Sequence, residues 1–88
     1  MKLIVAIVRD VDVEAVLAAL LGRGFGVTRF ASTGGFLRRG STTLLVGAES
    51  GRMDEAIAAM RQACTPAESP DQRRVTLFVL PVERFEQL

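Results

Sequence analysis

The run LIVAIV at residues 3–8 is the clearest indication of the fold. The run is apolar throughout and rich in β-branched side chains, which is typical of a strand that is covered on both faces. Successive side chains of a strand point to opposite faces, so a sheet built on this strand needs an apolar partner on each side. Arg9 and Asp10 end the run where an export signal would carry small residues. We therefore predict a cytoplasmic protein.

Helical periodicity follows the first strand and returns in the second half of the chain. Asp10 and Asp12 offer N-cap oxygens for a first helix that is predicted over Val11–Gly22, and Gly24 is placed to end it. The apolar stripe of this helix is predicted to consist of Val13, Leu17, Leu20 and Leu21. The second helix is predicted to bury Met53, Ile57, Met60 and Cys64.

Alternating or apolar runs predict three further strands, at Gly26–Thr33, Ser41–Gly47 and Arg74–Leu80. The first two of these would form a hairpin around the glycine-rich stretch Gly34–Gly40. A polar connector, Thr65–Gln72, joins the second helix to the last strand. The tail Val82–Leu88 is short, and a helical turn is predicted there.

The order β-α-β-β-α-β predicts an α+β, ferredoxin-like fold. It has an antiparallel four-stranded sheet with two helices on one face, and it forms a single domain over residues 1–88. Phe25 and Phe30 are expected in its core. Two helices cover only one face of the sheet, whereas the first and fourth strands are apolar on both faces. A bare second face would be a larger apolar patch than a monomer tolerates, so we expect several copies to pack into a closed oligomer.

Composition excludes several classes of function. The 88 residues contain no histidine, so the commonest general base and transition-metal ligand is missing. Cys64, the single cysteine, is expected in the core, and Asp10 and Asp12 are expected to cap a helix rather than to bind a cation. A net charge of +1 argues against nucleic acid as a partner. No run reaches the roughly 20 apolar residues of a membrane span. We predict no catalytic residue, no metal, no cofactor and no membrane insertion.

The segment from Ala31 to Thr43 concentrates residues that suit a phosphorylated ligand. Its glycines permit positive φ angles and expose backbone N–H groups, and its hydroxyls can bond phosphate or ribose. Arg38 and Arg39 carry planar cationic donors, and the ring of Phe36 can stack on a base. An ordinary hairpin turn with solvated arginines fits the same composition, so both interpretations stay open. A P-loop is excluded because Ser41 replaces the lysine and a strand follows instead of a helix.

Three stretches resemble the PII-like cyclic di-AMP receptor family of bacteria: MKLIVAIV at residues 1–8, ASTGGFLR at residues 31–38 and FVLPVERFEQL at residues 78–88. The resemblance implies a homotrimer of ferredoxin-like domains. Cyclic di-AMP would bind in clefts between adjacent subunits, beside loops that change conformation. The resemblance also implies ligand contacts at Thr28, Gly35, Phe36, Leu37, Gly47, Phe78 and Gln87. Ser41 stands where relatives usually have asparagine, and Arg38 joins the expected site as a source of positive charge.

Besides Ser41, two features depart from the family pattern. Gly26 replaces a position that is often basic, and the connector Thr65–Gln72 is shorter than in typical members. The predicted function is non-enzymatic signalling, in which bound cyclic di-AMP switches a loop that an unidentified downstream protein reads. The alternative is a trimeric interaction protein that binds another adenine nucleotide or none. The sequence lacks the arginine-bearing loop motif of an acylphosphatase-like hydrolase, which argues against that enzyme. Its central strands lack the aromatic pairs that stack RNA bases, which argues against RNA binding.

Overall fold

Strands and helices follow in the order β-α-β-β-α-β in a computed structural model that describes residues 1–30, 40–66 and 73–88. The strands are β1 (Lys2–Arg9), β2 (Gly26–Phe30), β3 (Ser41–Ala48) and β4 (Val75–Pro81), and the helices are α1 (Val13–Gly22) and α2 (Met53–Ala63). Short 3-10 helices, Asp10–Asp12 and Ser50–Arg52, lead into α1 and α2. The ferredoxin-like prediction is confirmed. The predicted end of the second strand at Thr33, most of the glycine-rich stretch and most of the connector lie outside the described residues.

Strand β1 lies inside the sheet, whose order is β2-β3-β1-β4 with every neighbouring pair antiparallel. Val5 lies opposite Leu45 of β3 and opposite Phe78 of β4. Thr28 of β2 in turn lies opposite Leu45. Residues that are opposite each other in a sheet point to the same face, so these four side chains form one row across it. Strand β1 is therefore an interior strand that is hydrogen-bonded along both of its edges.

The helices cover the face that carries the even-numbered residues of β1. Ile4, Ala6 and Val8 are fully buried there. They pack with Leu44 and Val46 of β3 and with residues of both helices into one hydrophobic core, whose members on or beside the helices include Val13, Val16, Leu20, Phe25, Ala56, Met60 and Cys64. The burial of Phe25, Met60 and Cys64 was predicted. Met53 and Ile57 of the predicted α2 stripe are half-buried at the edge of the core.

Two predicted core positions are wrong. Leu21 is 58% exposed because it lies about 100° around α1 from the buried Leu20. Val16 takes its place on the inner side of the helix. Phe30 is 51% exposed because its register opposite Thr43 places it on the sheet face that the helices do not cover.

The two ends of α1 differ in how well they were predicted. Gly24 ends the helix as expected, with φ 84° and hydrogen bonds from the N–H of Gly24 to the oxygen of Leu21 and from the N–H of Phe25 to the oxygen of Leu20. At the other end, neither Asp10 nor Asp12 makes a side-chain capping hydrogen bond, so that prediction is wrong. Both carboxylates are engaged elsewhere. The tail after β4 contains no helical turn either.

Candidate functional site

The sheet face opposite the helices, here called the outer face, is apolar and uncovered within the described chain. It carries the odd-numbered residues of β1 and their partners on the other strands. Leu3, Val5 and Ile7 are half-buried by their neighbours in the sheet. Phe78 is 55% exposed and Leu80 is 48% exposed. An exposed face of this kind is characteristic of a surface that binds a ligand or another chain.

One end of the outer face is hollowed into a cleft of about 520 Å³, here called the outer-face cleft. It lies where β1 and β2 begin and where β3 and β4 end. The chain after β4 closes one side, and the N–H of Val82 donates to the oxygen of Met1 at 3.2 Å. The lining residues are Met1, Lys2, Leu3, Gly26, Val27, Thr28, Leu45, Gly47, Val82, Phe85 and Gln87.

Three of the predicted site residues meet in this cleft. Thr28 comes from β2, Gly47 from β3 and Gln87 from the C-terminal tail, and all three line the same cavity. Their sequence separation is large, and only the antiparallel pairing of β2 with β3 and the return of the tail bring them together. The cleft therefore offers a hydroxyl, an exposed stretch of backbone and a side-chain amide on apolar walls.

The other predicted site residues lie elsewhere. Phe78 is on the outer face in the same row as Thr28, but it does not line the cleft. Ser41 starts β3 six residues before Gly47, about 20 Å away along the strand. Gly35, Phe36, Leu37 and Arg38 lie outside the described residues. Within one chain, Thr28, Gly47 and Gln87 thus lie at the cleft and Ser41 lies at the opposite end of the outer face. Phe78 lies between these two ends.

Sequence reasoning missed two of the larger apolar walls of the cleft, Leu45 and Phe85. Leu45 shares a strand face with Gly47, two residues away, so strand alternation could have identified it. Phe85 belongs to a tail without periodicity and carried no such signal. The space above Gly47 is tight, because a Cβ atom there would lie 3.1 Å from the Cε of Met1. A ligand that approaches this backbone must displace the flexible end of Met1.

At the opposite end of the sheet, Asp12 is enclosed in a hydrogen-bonded cluster. Its side chain is 1% exposed, and Oδ2 accepts hydrogen bonds from the Arg9 guanidinium at 2.6 and 3.1 Å. Oδ1 accepts from the backbone N–H of Thr65 at 3.0 Å. Burial by itself raises the pKa of this carboxyl, but the bonds from Thr65 and Arg9 outweigh burial and hold the pKa below its ordinary value. The carboxylate is therefore structural, and its predicted capping role is replaced by an ion pair.

Asp10 also binds a distant part of the chain. Its N–H donates to the oxygen of Gly40 at 2.8 Å, and its Oδ1 accepts a hydrogen bond from the Thr42 hydroxyl at 2.6 Å. Gly40 has φ 85°, a conformation that favours glycine, at the turn into β3. Within residues 1–30, 40–66 and 73–88, no group of three or more acidic, histidine or cysteine side chains is arranged to hold a metal ion.

Cys64 fits the predicted core position. It is 9% exposed at the end of α2, and burial, followed by the charge of Asp12, raises the pKa of its thiol. A raised pKa keeps the thiol protonated and a poor nucleophile at neutral pH.

Two comparisons with known proteins agree with this architecture. The family model described as cyclic-di-AMP receptor matches residues 1–70. A crystal structure of a functionally unknown protein from Pediococcus pentosaceus ATCC 25745 is 30% identical in sequence and superposes with a TM-score of 0.77, covering 99% of this chain and 96% of that one. Among the helices that the structure describes, none has the length and apolar character to cross a membrane.

Proposed function

This chain belongs to the cyclic-di-AMP receptor family, and we propose that it is a cytoplasmic, non-enzymatic bacterial signalling protein that binds cyclic di-AMP in the outer-face cleft. The observation that carries the proposal is the convergence of Thr28, Gly47 and Gln87 on one cleft. These residues belong to three different elements, and the pairing of β2 with β3 and the return of the tail place them around the same cavity. In this proposal the whole of residues 1–88 forms one PII-like domain.

The chemistry of the cleft suits a purine nucleotide. Its volume of about 520 Å³ falls within the 300–1,000 Å³ that is usual for small-molecule sites. Leu45 and Phe85 offer apolar surface to a purine ring, and the amide of Gln87 can pair with its polar edge. The Thr28 hydroxyl can donate to phosphate, and Gly47 lets the ligand approach the backbone once Met1 moves aside.

A homotrimer would complete this site. Ser41 and the exit of the glycine-rich stretch at Gly40 lie at the far end of β3 from Gly47, and Ser41 is about 20 Å from Gly47 along the strand. If copies pack through their outer faces, the glycine-rich segment of one copy can reach the cleft of the next. Gly35, Phe36, Leu37 and Arg38 would then meet a ligand that is already held by the neighbour. Ligand affinity that differs between two states of this segment would switch it and present it to a downstream protein.

Calorimetric titration with cyclic di-AMP tests the proposal, and Thr28→Val is the informative variant. Valine keeps the shape of threonine but removes the hydroxyl, so we expect Kd to rise about tenfold, the value of one hydrogen bond to a charged group. Thr76→Val is the matched control, because Thr76 lies on the same face opposite Ile7 but outside the cleft. An unchanged Kd for Thr28→Val, or no heat and no thermal shift with the unmodified protein, would contradict the proposal.

A second candidate is a trimeric interaction protein that binds another adenine nucleotide or none. It is favoured by Gly26, which lines the cleft where family members are often basic, so the cleft lacks one expected phosphate contact. Ser41 likewise cannot supply the two-ended amide of the usual asparagine. Thermal-shift measurements with AMP, ATP, cyclic di-GMP and cyclic di-AMP separate the candidates, since each ligand that binds raises Tm as its concentration increases.

Gly26→Arg is expected to tighten the binding of cyclic di-AMP about tenfold, because it adds a bidentate cationic donor to the cleft. A Cβ atom on Gly26 meets nothing within 4 Å, and the residue has no positive φ, so the side chain can be accommodated. Gly51→Arg is the control, since that position is equally open but lies in the 3-10 helix before α2. If both variants change Kd equally, the effect is general charge attraction and the cleft is not the phosphate site.

A further inference from the structure

We infer that the segment Arg9–Asp12, here called the β1–α1 junction, ties the exit of the glycine-rich stretch to the start of the connector after α2, so that displacement of one alters the other. Asp10 and Arg9 act in this scheme as positioning residues. The inference goes beyond the proposed function, because it concerns contacts of the ligand-free chain and holds whatever the ligand is.

On one side, the junction holds the residues that lead from the glycine-rich stretch into β3. The backbone N–H of Asp10 donates to the oxygen of Gly40 at 2.8 Å. The Thr42 hydroxyl donates to Oδ1 of Asp10 at 2.6 Å. Ser41 lies between these two contacts, so Asp10 fixes the backbone on both sides of an expected ligand-binding residue.

On the other side, the junction holds the first residue of the connector. The Arg9 guanidinium donates to the backbone oxygen of Thr65 at 2.8 Å and to its Oγ1 at 3.0 Å. The backbone N–H of Thr65 donates to Oδ1 of Asp12 at 3.0 Å. The backbone N–H, the backbone oxygen and the Oγ1 of Thr65 are thus all bound by residues of the junction, more than 50 positions away in the sequence.

The two sets of contacts share one small unit. Asp10–Asp12 is a single turn of 3-10 helix, and the ion pair between Arg9 and the buried Asp12 closes across it. The ion pair braces this turn, so we infer that a displacement on one side of it reaches the other. A displacement of Gly40 and Thr42 therefore acts on the same turn to which Thr65 is hydrogen-bonded.

Cys64 reports the state of the connector. It immediately precedes Thr65, it is the single cysteine of the chain and it is 9% exposed. The thiol is only slightly accessible, so opening of this region accelerates its modification by a thiol reagent, and a change in labelling rate reports a change in opening. Asp10 and Thr42 are not among the groups that shift the pKa of Cys64, so substituting them removes none of those groups.

The test compares the labelling rates of Cys64 in ligand-free Thr42→Val and Thr42→Ser, each relative to the unmodified chain. Valine removes the hydroxyl that binds Asp10, and we expect labelling to accelerate about fivefold, the value of one hydrogen bond of ordinary strength. Serine keeps the hydroxyl, so we expect Cys64 in Thr42→Ser to be labelled at the same rate as in the unmodified chain. Combining Asp10→Ala with Thr42→Val should add nothing further, since both remove the same contact.

Urea separates the inferred link from a general loss of stability. Labelling through a local opening depends weakly on low concentrations of urea, whereas labelling through global unfolding follows the m-value of the whole chain. A labelling rate in Thr42→Val that equals the unmodified rate overturns the inference. An acceleration with the urea dependence of global unfolding overturns it as well. Because every measurement uses ligand-free protein, failure to bind cyclic di-AMP bears on the proposed function alone.

Discussion

Replacing Asp12 with alanine is expected to lower the free energy of unfolding by about 3 kcal/mol, because it leaves the Arg9 guanidinium with no ionic partner in a partly buried site. The carboxylate is 1% exposed and the Arg9 side chain 18%, so water compensates the lost ion pair only in part. The same change orphans the N–H of Thr65, which donates to Asp12. For a chain of this size the loss corresponds to a fall in Tm of about 12–24 °C.

Urea unfolding at a fixed protein concentration and neutral pH measures this effect. Glu14→Ala is the matched control, because it removes a carboxylate of the same region that pairs with Arg29 but is 83% exposed. We expect that control to cost less than about 1 kcal/mol. If the two variants lose the same free energy of unfolding, the ion pair between Arg9 and Asp12 contributes no more than an exposed one.

The pH dependence of Tm provides a second measurement of the contribution of the Asp12 carboxylate. The pKa of Asp12 is lower in the folded protein than its ordinary value of 3.8, so its charged form stabilises the fold above about pH 4. That contribution is lost as the pH falls through the folded pKa, and Tm should decline over this range. Asp12→Asn has no carboxyl to titrate, so its Tm should change less between pH 5 and about pH 2. Parallel pH profiles for the two proteins would contradict the assignment.

The fold was predictable from local pattern because its central strand is unambiguous. LIVAIV has no polar residue, so β1 could be placed inside a sheet without knowledge of its neighbours. Errors arose where a long-range partner decides the outcome. An aspartate before a helix looks like a cap, and nothing local shows that Arg9 and Thr65, the latter 53 positions away, bind Asp12 instead. Phe30 was misplaced in the same way, because strand register decides its face.

The candidate site was predictable to the extent that it depends on strand alternation or family resemblance. Thr28, Gly47 and Gln87 came from resemblance; all three line one cleft, and their contacts with a ligand stay a prediction. Phe85 could not be found, because the position of an irregular tail depends on contacts such as that between Val82 and Met1. The predicted strand Ser41–Gly47 already placed these two residues at opposite ends of one strand face. The sequence could not show that the cleft lies at the Gly47 end, because that depends on the position of the tail.

If the protein forms the proposed trimer through its outer face, Val5→Asp is expected to convert it into a monomer. Val5 lies in the middle of the outer face, between Leu45 and Phe78, where contact between copies would bury it most deeply. An unpaired carboxylate in such an interface costs about 3–5 kcal/mol, which weakens association at least a hundredfold. In the separated chain Val5 is half-buried on the outer face and lies outside the helix-covered core, so we expect the variant to fold. Sedimentation equilibrium should give about three times 9.5 kDa for the unmodified protein and 9.5 kDa for the variant.

Val11→Asp is the matched control, since Val11 is 79% exposed on the β1–α1 junction and away from the outer face. It should remain trimeric, and circular dichroism should show both variants folded. A 9.5 kDa species for the unmodified protein at all concentrations, or an unchanged trimer for Val5→Asp, would refute packing through the outer face.

The Val5→Asp variant also tests whether two copies are needed to form the proposed site. If the glycine-rich segment of one copy completes the cleft of the next, folded Val5→Asp monomers should lose cyclic di-AMP binding although every expected ligand contact is still present in their sequence.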